Sequence, residues 1–333
     1  MGHRMETHSE LLVYIENRAD REPAYAITRE IWNKVIEAGL PVKAAFHMDT
    51  QPDFSDLGRA DVFVGSGFDT ERLRLHAPKL KIIHCTSAGV DRYLPLDWLP
   101  ATACLTNSSG IHADKAREYA TMALLMLATR LPKHLSDQRA HRWDPSLSGV
   151  AVGLRVLLVG LGSIGSAVAD AARILRMPVE AVTRHGRTST QVDRVGTIDH
   201  LHDFLANTDI LVLCCPLTTE THGLIDQKEL ASMPTGAGVI NMARGPILST
   251  QALLPALSSG HIAGAVLDVF DTEPLPSDSA LWDAPNVIIT PHVSCDTPSG
   301  YTERSLQILK RNLARLVNDT GGFENVICPV QGY

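Results

Sequence analysis

Three side chains suited to acid–base chemistry each follow an apolar run in the second half of the chain. Arg244 lies in NMARG, Glu273 in DTEPLP and His292 in TPHVS. An arginine can bind a carboxylate with both arms of its guanidinium group, and a histidine can give or take a proton near neutral pH. A glutamate bonded to the other ring nitrogen would fix the histidine tautomer. A structural role is the common one for each residue alone, but their coincidence favours catalysis.

The apolar runs before these residues predict that the three side chains meet. Residues 237–243, 263–270 and 286–290 have the composition of buried parallel strands, with Asp268 at the end of the second run. The loops that follow parallel strands leave the sheet at the same, carboxyl edge, where open α/β sheets bind ligands. We therefore expect one cleft at this edge.

A glycine motif begins this half of the chain. The apolar strand 155–159 leads into Gly160, Gly162 and Gly165, spaced G-x-G-x-x-G, and an alanine-rich helix is predicted over 166–175. Strand, glycine turn and helix form the context in which this motif binds a dinucleotide pyrophosphate at the helix N-terminus. A structural turn or another nucleotide-like ligand, as in methyltransferases, is the alternative.

The turn after the second strand of this half bears on the choice of dinucleotide. NAD-binding units carry an acid there for the adenosine ribose. Here the strand predicted over 177–183 ends at Thr183, and the turn that follows contains Arg184, His185 and Arg187. Arginines bind a 2′-phosphate that an acid would repel. The turn favours NADP(H), with NAD(H) as the alternative. A simple solvated turn would also explain these arginines.

The first half of the chain alternates short strands and helices, which predicts a parallel sheet. The loop 86–93 follows its fourth strand, and the backbone N–H groups of Ala88, Gly89 and Val90 could hold a carboxylate there, although a plain turn explains the loop equally well. The expected strands are 11–16, 42–48, 60–66, 80–87 and 102–109, and the expected helices are 23–39 and 70–78.

The remaining elements complete a second α/β unit. A long helix over 112–131 precedes it, and 130–149 is predicted to be a loop. Six strands are expected, those already given and 209–215, with helices near 200–206, 227–232 and 250–258. The last helix, 298–317, lies in a tail too poor in strands to form its own core, so we expect it to pack on the first unit.

Size and composition narrow the class of protein. A chain of 333 residues with 44% apolar and 20% charged residues suggests two α/β domains. The net charge of −7 argues against nucleic acid as the main partner. We expect no membrane span and no signal peptide, hence a cytoplasmic protein. The 6 cysteines and 14 histidines show no metal-ligand spacing, so no metal site and free thiols are predicted.

Six longer motifs occur in order along the chain: SAGVDRY, VGLGSIG, CCPLTTETHGLID, INMARGPIL, LDVFDTEPLP and SALWDAPNVIITPHVS. With these motifs the chain resembles the D-isomer-specific 2-hydroxyacid dehydrogenases over nearly its whole length, most of all the glyoxylate/hydroxypyruvate reductase branch. The resemblance implies an α/β fold of two doubly wound parallel-sheet domains with a cleft between them. A flavodoxin-like substrate domain would comprise 1–108 plus 296–333, and a Rossmann cofactor domain 109–295.

The resemblance also implies roles for individual residues. Arg244 would hold the substrate carboxylate and carbonyl, His292 would donate the proton in reduction, and Glu273 would pair with His292. The backbone at Ala88, Gly89 and Val90 would help to hold the carboxylate. Residues expected to contact the cofactor are Asp268 near the nicotinamide carboxamide, Leu161, Gly162, Ser163 and Ile164 at the pyrophosphate, Cys214, Cys215 and Pro216 beside the adenosine half, and Met242, Ala243, Arg244 and His292.

The expected activity is NADPH-dependent reduction of a small 2-oxo acid, such as glyoxylate or hydroxypyruvate, to a D-2-hydroxy acid by a homodimer. Thr183 departs from the acid usual in the family at that point, which supports NADP(H). One alternative is an NAD-dependent dehydrogenase of a bulkier acid. The other is a nucleotide-sensing binding module on the same fold, since relatives of that kind keep the same three side chains.

Overall fold

The computed structural model describes residues 10–36, 39–297 and 299–328, which divide into two compact units. The first unit comprises the described residues up to Ile111 together with those from Thr297 onward, and the second comprises His112–Asp296. Each unit is built on one parallel sheet, as expected for two α/β domains.

Five parallel strands form the sheet of the first unit, in the order β2-β1-β3-β4-β5. This is the flavodoxin-like order, in which the direction of winding reverses between β1 and β3. The central strands β3 and β4 are buried along their whole length, since helices cover both faces. The strands are β1 (Leu11–Asn17), β2 (Val42–Met48), β3 (Val62–Gly65), β4 (Ile82–Cys85) and β5 (Cys104–Thr106).

Side-chain caps set where the helices of this unit begin. The predicted helix 23–39 is a short 3₁₀ turn at Pro23–Tyr25 followed by α1 (Arg29–Val35), because the Thr28 hydroxyl accepts a hydrogen bond from the Ile31 N–H and starts the helix there. Its predicted last turn includes residues 37 and 38, which lie outside the described residues. The other helices before residue 111 are α2 (Phe54–Leu57) and α3 (Thr70–His76).

Seven parallel strands form the sheet of the second unit, one more than the six expected. The order β12-β11-β10-β9-β6-β7-β8 is the Rossmann order with an added strand at one edge. Alternate side chains of the central strand enter opposite cores, Val156 and Leu158 one and Leu157 and Val159 the other. The strands are β6 (Val156–Val159), β7 (Val179–Val182), β8 (Arg194–Gly196), β9 (Ile210–Leu213), β10 (Ala237–Asn241), β11 (Ile262–Leu267) and β12 (Val287–Ile289).

A helix occupies part of the predicted loop 130–149. It is α5 (Leu131–Arg139), preceded by Arg130 with φ of 56°. The buried Asp137 of this helix accepts hydrogen bonds from Lys133 at 2.6 Å and from Arg142 at 2.7 Å. The other helices of this unit are α4 (Ala113–Ala128), α6 (Ser163–Ile174), α7 (Leu201–Leu205), α8 (Gln227–Ser232) and α9 (Thr250–Ser258).

The last helix, α10 (Tyr301–Val317), belongs to the first unit. Leu306, Leu309 and Leu313, spaced at 3 and 4 residues, lie in the same core as strands β1 and β3. None of the helices in the described ranges is long and apolar enough to cross a membrane.

Helix α10 also closes a buried polar network around His84. The imidazole lies 3.0 Å from the Thr106 hydroxyl through Nδ1 and 3.2 Å from the Ser305 hydroxyl through Nε2, and Ser305 lies 2.7 Å from the hydroxyl of Ser108. His84 has no exposed surface. Burial lowers its pKa to about 4, because the charged form cannot be solvated there.

This low pKa makes the stability of the protein depend on pH. Between about pH 6.5 and pH 4 an unfolded chain protonates His84 and the folded protein does not, so stability falls as pH falls through this window. The loss attributable to His84 is about 3 kcal/mol. Urea unfolding between pH 7 and pH 4 should show a flatter profile for His84→Gln than for wild type. The exposed His76→Gln variant should keep the wild-type slope, and an equal slope for His84→Gln would refute the assignment.

Candidate active site

The glycine motif forms a tight turn between β6 and α6. Gly160 has a φ of 92°, and a Cβ on it would lie 2.6 Å from the backbone nitrogen of Cys215. A Cβ on Gly165 would lie 2.3 Å from the carbonyl oxygen of Gly160, so the helix packs directly on the turn. Helix α6 begins at Ser163, three residues before its predicted start. Its first turn therefore lies inside the motif.

The turn can accept a pyrophosphate. The space next to Gly162 is open, because no atom outside its chain neighbours lies within 4 Å of a Cβ built there. Gly162 is the N-cap of the 12-residue α6, whose first backbone N–H groups and positive dipole end favour an anion. Leu161 and Ile164 pack against the core beside α4 and α6. The residues present thus fit a dinucleotide.

The turn after β7 presents two exposed arginines. Arg184 forms an ion pair with Glu220 at 3.4 Å, and Arg187 is exposed. The Thr183 hydroxyl donates to the carbonyl of Arg187 at 3.3 Å, which closes the turn. The exposed His185 lies between the two arginines. The turn is cationic on its outer face, and Glu220 partly offsets its charge.

The edge strand β8 supplies the ion-pair partner of Glu180, the one acidic residue of β7. Glu180 is paired with Arg194 of β8 in the sheet register, and the two side chains form an ion pair at 4.0 Å. Glu180 is therefore bound within the sheet edge. Sequence reasoning missed β8, since Arg194–Gly196 carries a single apolar residue and needs β7 as a template.

The loop after β4, in the first unit, has the open N–H groups expected of a carboxylate-binding turn. Among the described residues, none accepts a hydrogen bond from the backbone N–H of Ala88, Gly89 or Val90. A side-chain hydrogen bond holds the loop in place, since the Asn107 amide donates to the carbonyl of Ala88 at 2.6 Å. An anion would supply the missing acceptor.

Arg244 lies three residues after the end of β10 and is half-buried. Its guanidinium donates to the carbonyl of Ala243 at 2.7 Å, and its own carbonyl accepts from the Asn241 amide at 3.1 Å. A Cβ on Gly245 would lie 2.0 Å from the carbonyl carbon of Phe270. Glycine at this position therefore lets the Arg244 loop pack against the loop that carries Glu273.

Glu273 and His292 form a pair. The Nδ1 of His292 lies 2.7 Å from Oε2 of Glu273, and Oε1 of Glu273 accepts from the Phe270 N–H at 3.0 Å. A carboxylate can only accept, so Nδ1 carries a proton and Nε2 is left to exchange one. Nε2 of His292 has no partner among the residues that the structure describes. Both side chains are partly exposed, at 47% for His292 and 35% for Glu273.

Asp268, which is expected near the nicotinamide carboxamide, is hydrogen-bonded to the loop that carries His292. It has no exposed surface, and its carboxylate accepts hydrogen bonds from the backbone N–H groups of Val293 and Ser294, each at 2.9 Å, and from the Thr290 hydroxyl at 2.6 Å. In this structure Asp268 holds the loop on both sides of His292. Its backbone carbonyl also accepts from the His292 N–H at 2.8 Å.

Two further residues of this network were missed in the sequence. Thr290 links Asp268 to Tyr119 of α4, whose hydroxyl lies 2.7 Å from the Thr290 hydroxyl. Burial raises the pKa of Tyr119, so the phenol stays protonated. Thr290 stands two residues before His292 in TPHVS, and this position was the only signal in the sequence. Tyr119 lies within an ordinary apolar helix face and gave none.

The cysteines near this sheet edge do not offer a nucleophile. Burial raises the pKa of Cys215 to about 12 and that of Cys295 to about 11, and it raises the pKa of Cys214 as well. These thiols stay protonated near neutral pH, so they contribute no thiolate. Pro216 follows them half-buried, and Met242 and Ala243 are buried in the two cores.

The second unit therefore places Arg244, Glu273 and His292 on adjoining loops at the edge of the sheet that carries the glycine turn. Ala88, Gly89 and Val90 lie in the first unit. Within the described ranges no group of three or more His, Cys, Asp or Glu residues is arranged to hold a metal ion.

Solved structures with the same fold match this chain over nearly its full length. A D-isomer-specific 2-hydroxyacid dehydrogenase from Xanthobacter autotrophicus, in complex with NADPH and MES, is 30% identical with a TM-score of 0.80 over 97% of this chain and 100% of that one. The NADPH-dependent glyoxylate/hydroxypyruvate reductase SmGhrA from Sinorhizobium meliloti, in complex with NADP and sulfate, is 25% identical with a TM-score of 0.80 over 96% and 99%.

Two further matches agree. A probable 2-hydroxyacid dehydrogenase from Rhizobium etli, in complex with NADP, HEPES and L-tartaric acid, is 25% identical with a TM-score of 0.80 over 97% of this chain and 100% of that one. Residues 121–294 match the family model for the NAD-binding domain of D-isomer-specific 2-hydroxyacid dehydrogenases. The chain belongs to the D-isomer-specific 2-hydroxyacid dehydrogenases, a family of NAD(P)-dependent oxidoreductases.

Proposed function

We propose that this protein uses NADPH to reduce small 2-oxo acids, glyoxylate or hydroxypyruvate among them, to D-2-hydroxy acids. The observation that carries the proposal is the hydrogen-bonded pair of His292 and Glu273 at 2.7 Å. Nε2 of His292 has no partner among the described residues. The loop that carries Glu273 adjoins the Arg244 loop. The resemblance to SmGhrA supports the choice of substrates.

In the proposed mechanism the turn of Gly160, Gly162 and Gly165 would hold the cofactor pyrophosphate, and the bound cofactor would supply the hydride for C2 of the 2-oxo acid. Arg244 binds the substrate carboxylate and stabilises the charge that grows on the carbonyl oxygen. His292 delivers a proton from Nε2 to that oxygen, and Glu273 holds the imidazole in the tautomer that leaves Nε2 free. Ala88, Gly89 and Val90 donate backbone hydrogen bonds to the carboxylate. Asp268 acts indirectly, by fixing the loop that bears His292.

The preference for NADPH rests on the turn after β7. Arg184 and Arg187 would bind the 2′-phosphate, while Thr183 and His185 leave the turn free of a repelling acid. Three structural relatives contain NADP or NADPH, which supports this choice. NAD(H) would bind at the same turn without the phosphate contact.

Initial rates with glyoxylate test this cofactor assignment. At equal concentrations NADPH should give a higher kcat/KM than NADH, and Arg184→Gln should lower the NADPH/NADH ratio by about 10- to 100-fold because one charged hydrogen bond to the phosphate is lost. Arg173→Gln is the matched control, since Arg173 is an exposed arginine of the same unit that pairs with Asp170. A wild-type preference for NADH would contradict the assignment of the turn.

We further propose that the protein is a homodimer. The segment between α5 and β6 exposes large apolar side chains, with Trp143 exposed to 93%, Leu147 to 89% and Val150 to 73%. Neighbouring exposed apolar side chains of this size are typical of an interface. Light scattering after size-exclusion chromatography should give twice the chain mass for wild type and a monomer for the double variant Trp143→Ser/Leu147→Ser.

A further inference from the structure

A small concavity lies at the point of the first unit where the winding of the sheet reverses. It is lined by residues that end three strands, Asn17 of β1, Gly65 and Ser66 at β3, and Thr86 after β4. Ligands of open α/β sheets bind at this reversal, outside the carboxyl ends of the strands. Its volume is about 20 Å³, which admits a single small group of a ligand and excludes a whole nucleotide.

Arg21 places a positive charge in this concavity. Its guanidinium donates to the Ser66 hydroxyl at 2.7 Å and lies over the ring of Tyr25 at 4.3 Å from the centroid. Asn17 fixes the loop that carries Arg21, since its side chain accepts from the Ile27 N–H at 2.8 Å and donates to the Ile27 carbonyl at 3.1 Å. The arginine is thus held in one place and half-buried.

The neighbouring charges leave Arg21 uncompensated. Arg18, the other arginine of the lining, pairs with Asp20, and the buried Glu16 pairs with Arg72 at 2.5 Å. Glu22 also lines the concavity, but its side chain is exposed and forms no ion pair with Arg21. No carboxylate of the described chain lies within 4.0 Å of the Arg21 guanidinium. A cation of this kind next to a hydroxyl favours an anionic ligand group.

The concavity and the carboxylate-binding loop share a residue. Thr86 lines the concavity and begins the loop 86–93 that carries the unpartnered N–H groups of Ala88, Gly89 and Val90. Adjacent strands are about 4.8 Å apart, so the reversal between β1 and β3 lies one to two strand spacings, roughly 5–10 Å, from the end of β4. A four- or five-carbon dicarboxylic acid with one hydrogen bond at each end spans roughly 10 Å.

From this placement we infer that Arg21 binds the distal carboxylate of a 2-oxo dicarboxylic acid whose first carboxylate lies at Ala88–Val90. The inference rests on the proposed function and extends its substrates to acids such as 2-oxosuccinate and 2-oxoglutarate. Arg21 is then a specificity-determining residue supplied by the loop after β1.

A pair of substrates with equal carbon number tests this role. 2-Oxosuccinate and 2-oxobutanoate differ in that a methyl group replaces the distal carboxylate, so the ratio of their kcat/KM values isolates the distal contact. Wild type should favour 2-oxosuccinate, and Arg21→Gln should lower this ratio by about 10- to 100-fold, because a charge-assisted hydrogen bond is lost. Arg21→Lys keeps the charge and should retain part of the ratio.

Arg29→Gln is the matched control, because Arg29 also stacks on an aromatic ring, that of Phe46 at 4.9 Å, but lies outside the concavity. It should keep the wild-type ratio. If Arg21→Gln lowers both kcat/KM values and leaves their ratio within twofold of wild type, Arg21 only stabilises its loop. The inference is then wrong, while the proposed function stands. If wild type oxidises NADPH with none of the 2-oxo acids, including glyoxylate, the proposed function fails and the inference fails with it.

Discussion

We expect exchange of His292 for glutamine to lower kcat for glyoxylate reduction by about 10²- to 10⁴-fold, the usual contribution of a positioned general acid. Glutamine can still bond Glu273, which His292 contacts at 2.7 Å, so the loop should keep its place. The variant would lack the proton that Nε2 delivers to the substrate oxygen in the proposed mechanism. Stopped-flow measurement of NADPH oxidation at saturating glyoxylate gives kcat directly.

Two controls separate this loss from a structural effect. The dissociation constant for NADPH, measured by fluorescence, should stay within a few-fold of wild type, since the imidazole is replaced by a group of similar size. His200→Gln, a change of a histidine in the same unit whose imidazole contacts Thr197 at 3.1 Å, should leave kcat unchanged. Near-native turnover of His292→Gln would remove His292 from its role.

We expect exchange of Arg244 for lysine to raise KM for glyoxylate and to lower kcat, with a combined loss in kcat/KM of about 10²- to 10³-fold. Lysine keeps the positive charge, but it cannot bind a carboxylate with two parallel hydrogen bonds. The carbonyl of Ala243, which Arg244 contacts at 2.7 Å, would lose its planar donor as well. Steady-state kinetics over a wide range of glyoxylate concentration separates the two constants.

Arg155→Lys provides the comparison for Arg244→Lys. Arg155 precedes β6 and contacts Asp209 at 3.6 Å, at the amino end of the strand rather than at the edge with the catalytic loops. This variant should have wild-type kinetics. A KM for Arg244→Lys equal to that of wild type would show that the guanidinium does not bind the substrate carboxylate.

The central strands and the positions of the loops that carry Arg244, Glu273 and His292 could be predicted from the sequence, because the patterns that specify them are local in the chain. Strands β3, β4, β6 and β9 are buried at every position and apolar apart from His84 of β4, and a glycine turn between a strand and a helix has few other uses. The carboxyl edge of a parallel sheet then fixes where Arg244, Glu273 and His292 must lie.

Helix α5, strand β8 and the position of Asp268 could not be predicted, because they depend on contacts with residues outside the local pattern or on the burial of polar side chains. Helix α5 looks like a loop until Asp137 is seen to be buried between Lys133 and Arg142. Strand β8 exists only because β7 offers an open edge, with Glu180 beside Arg194. No local pattern shows that Asp268 is buried and holds the His292 loop.

The contacts of Thr290 and Arg21 were also hidden in the sequence. The Thr290 hydroxyl bridges Asp268 and Tyr119, which stand 22 and 171 residues away from it. Arg21 lies two residues before the predicted helix 23–39, and its contact with Ser66 spans 45 residues. Long-range contacts of this kind follow from the strand order, which single residues do not reveal.

The measurement that tests the account most directly is the stereochemistry of the product formed from hydroxypyruvate. With NADPH the protein should form one equivalent of D-glycerate for each equivalent of cofactor oxidised, as resolved by chiral chromatography. Formation of L-glycerate, or of no glycerate while NADPH remains unconsumed, would contradict the assignment of this protein as an NADPH-dependent D-specific 2-oxo acid reductase.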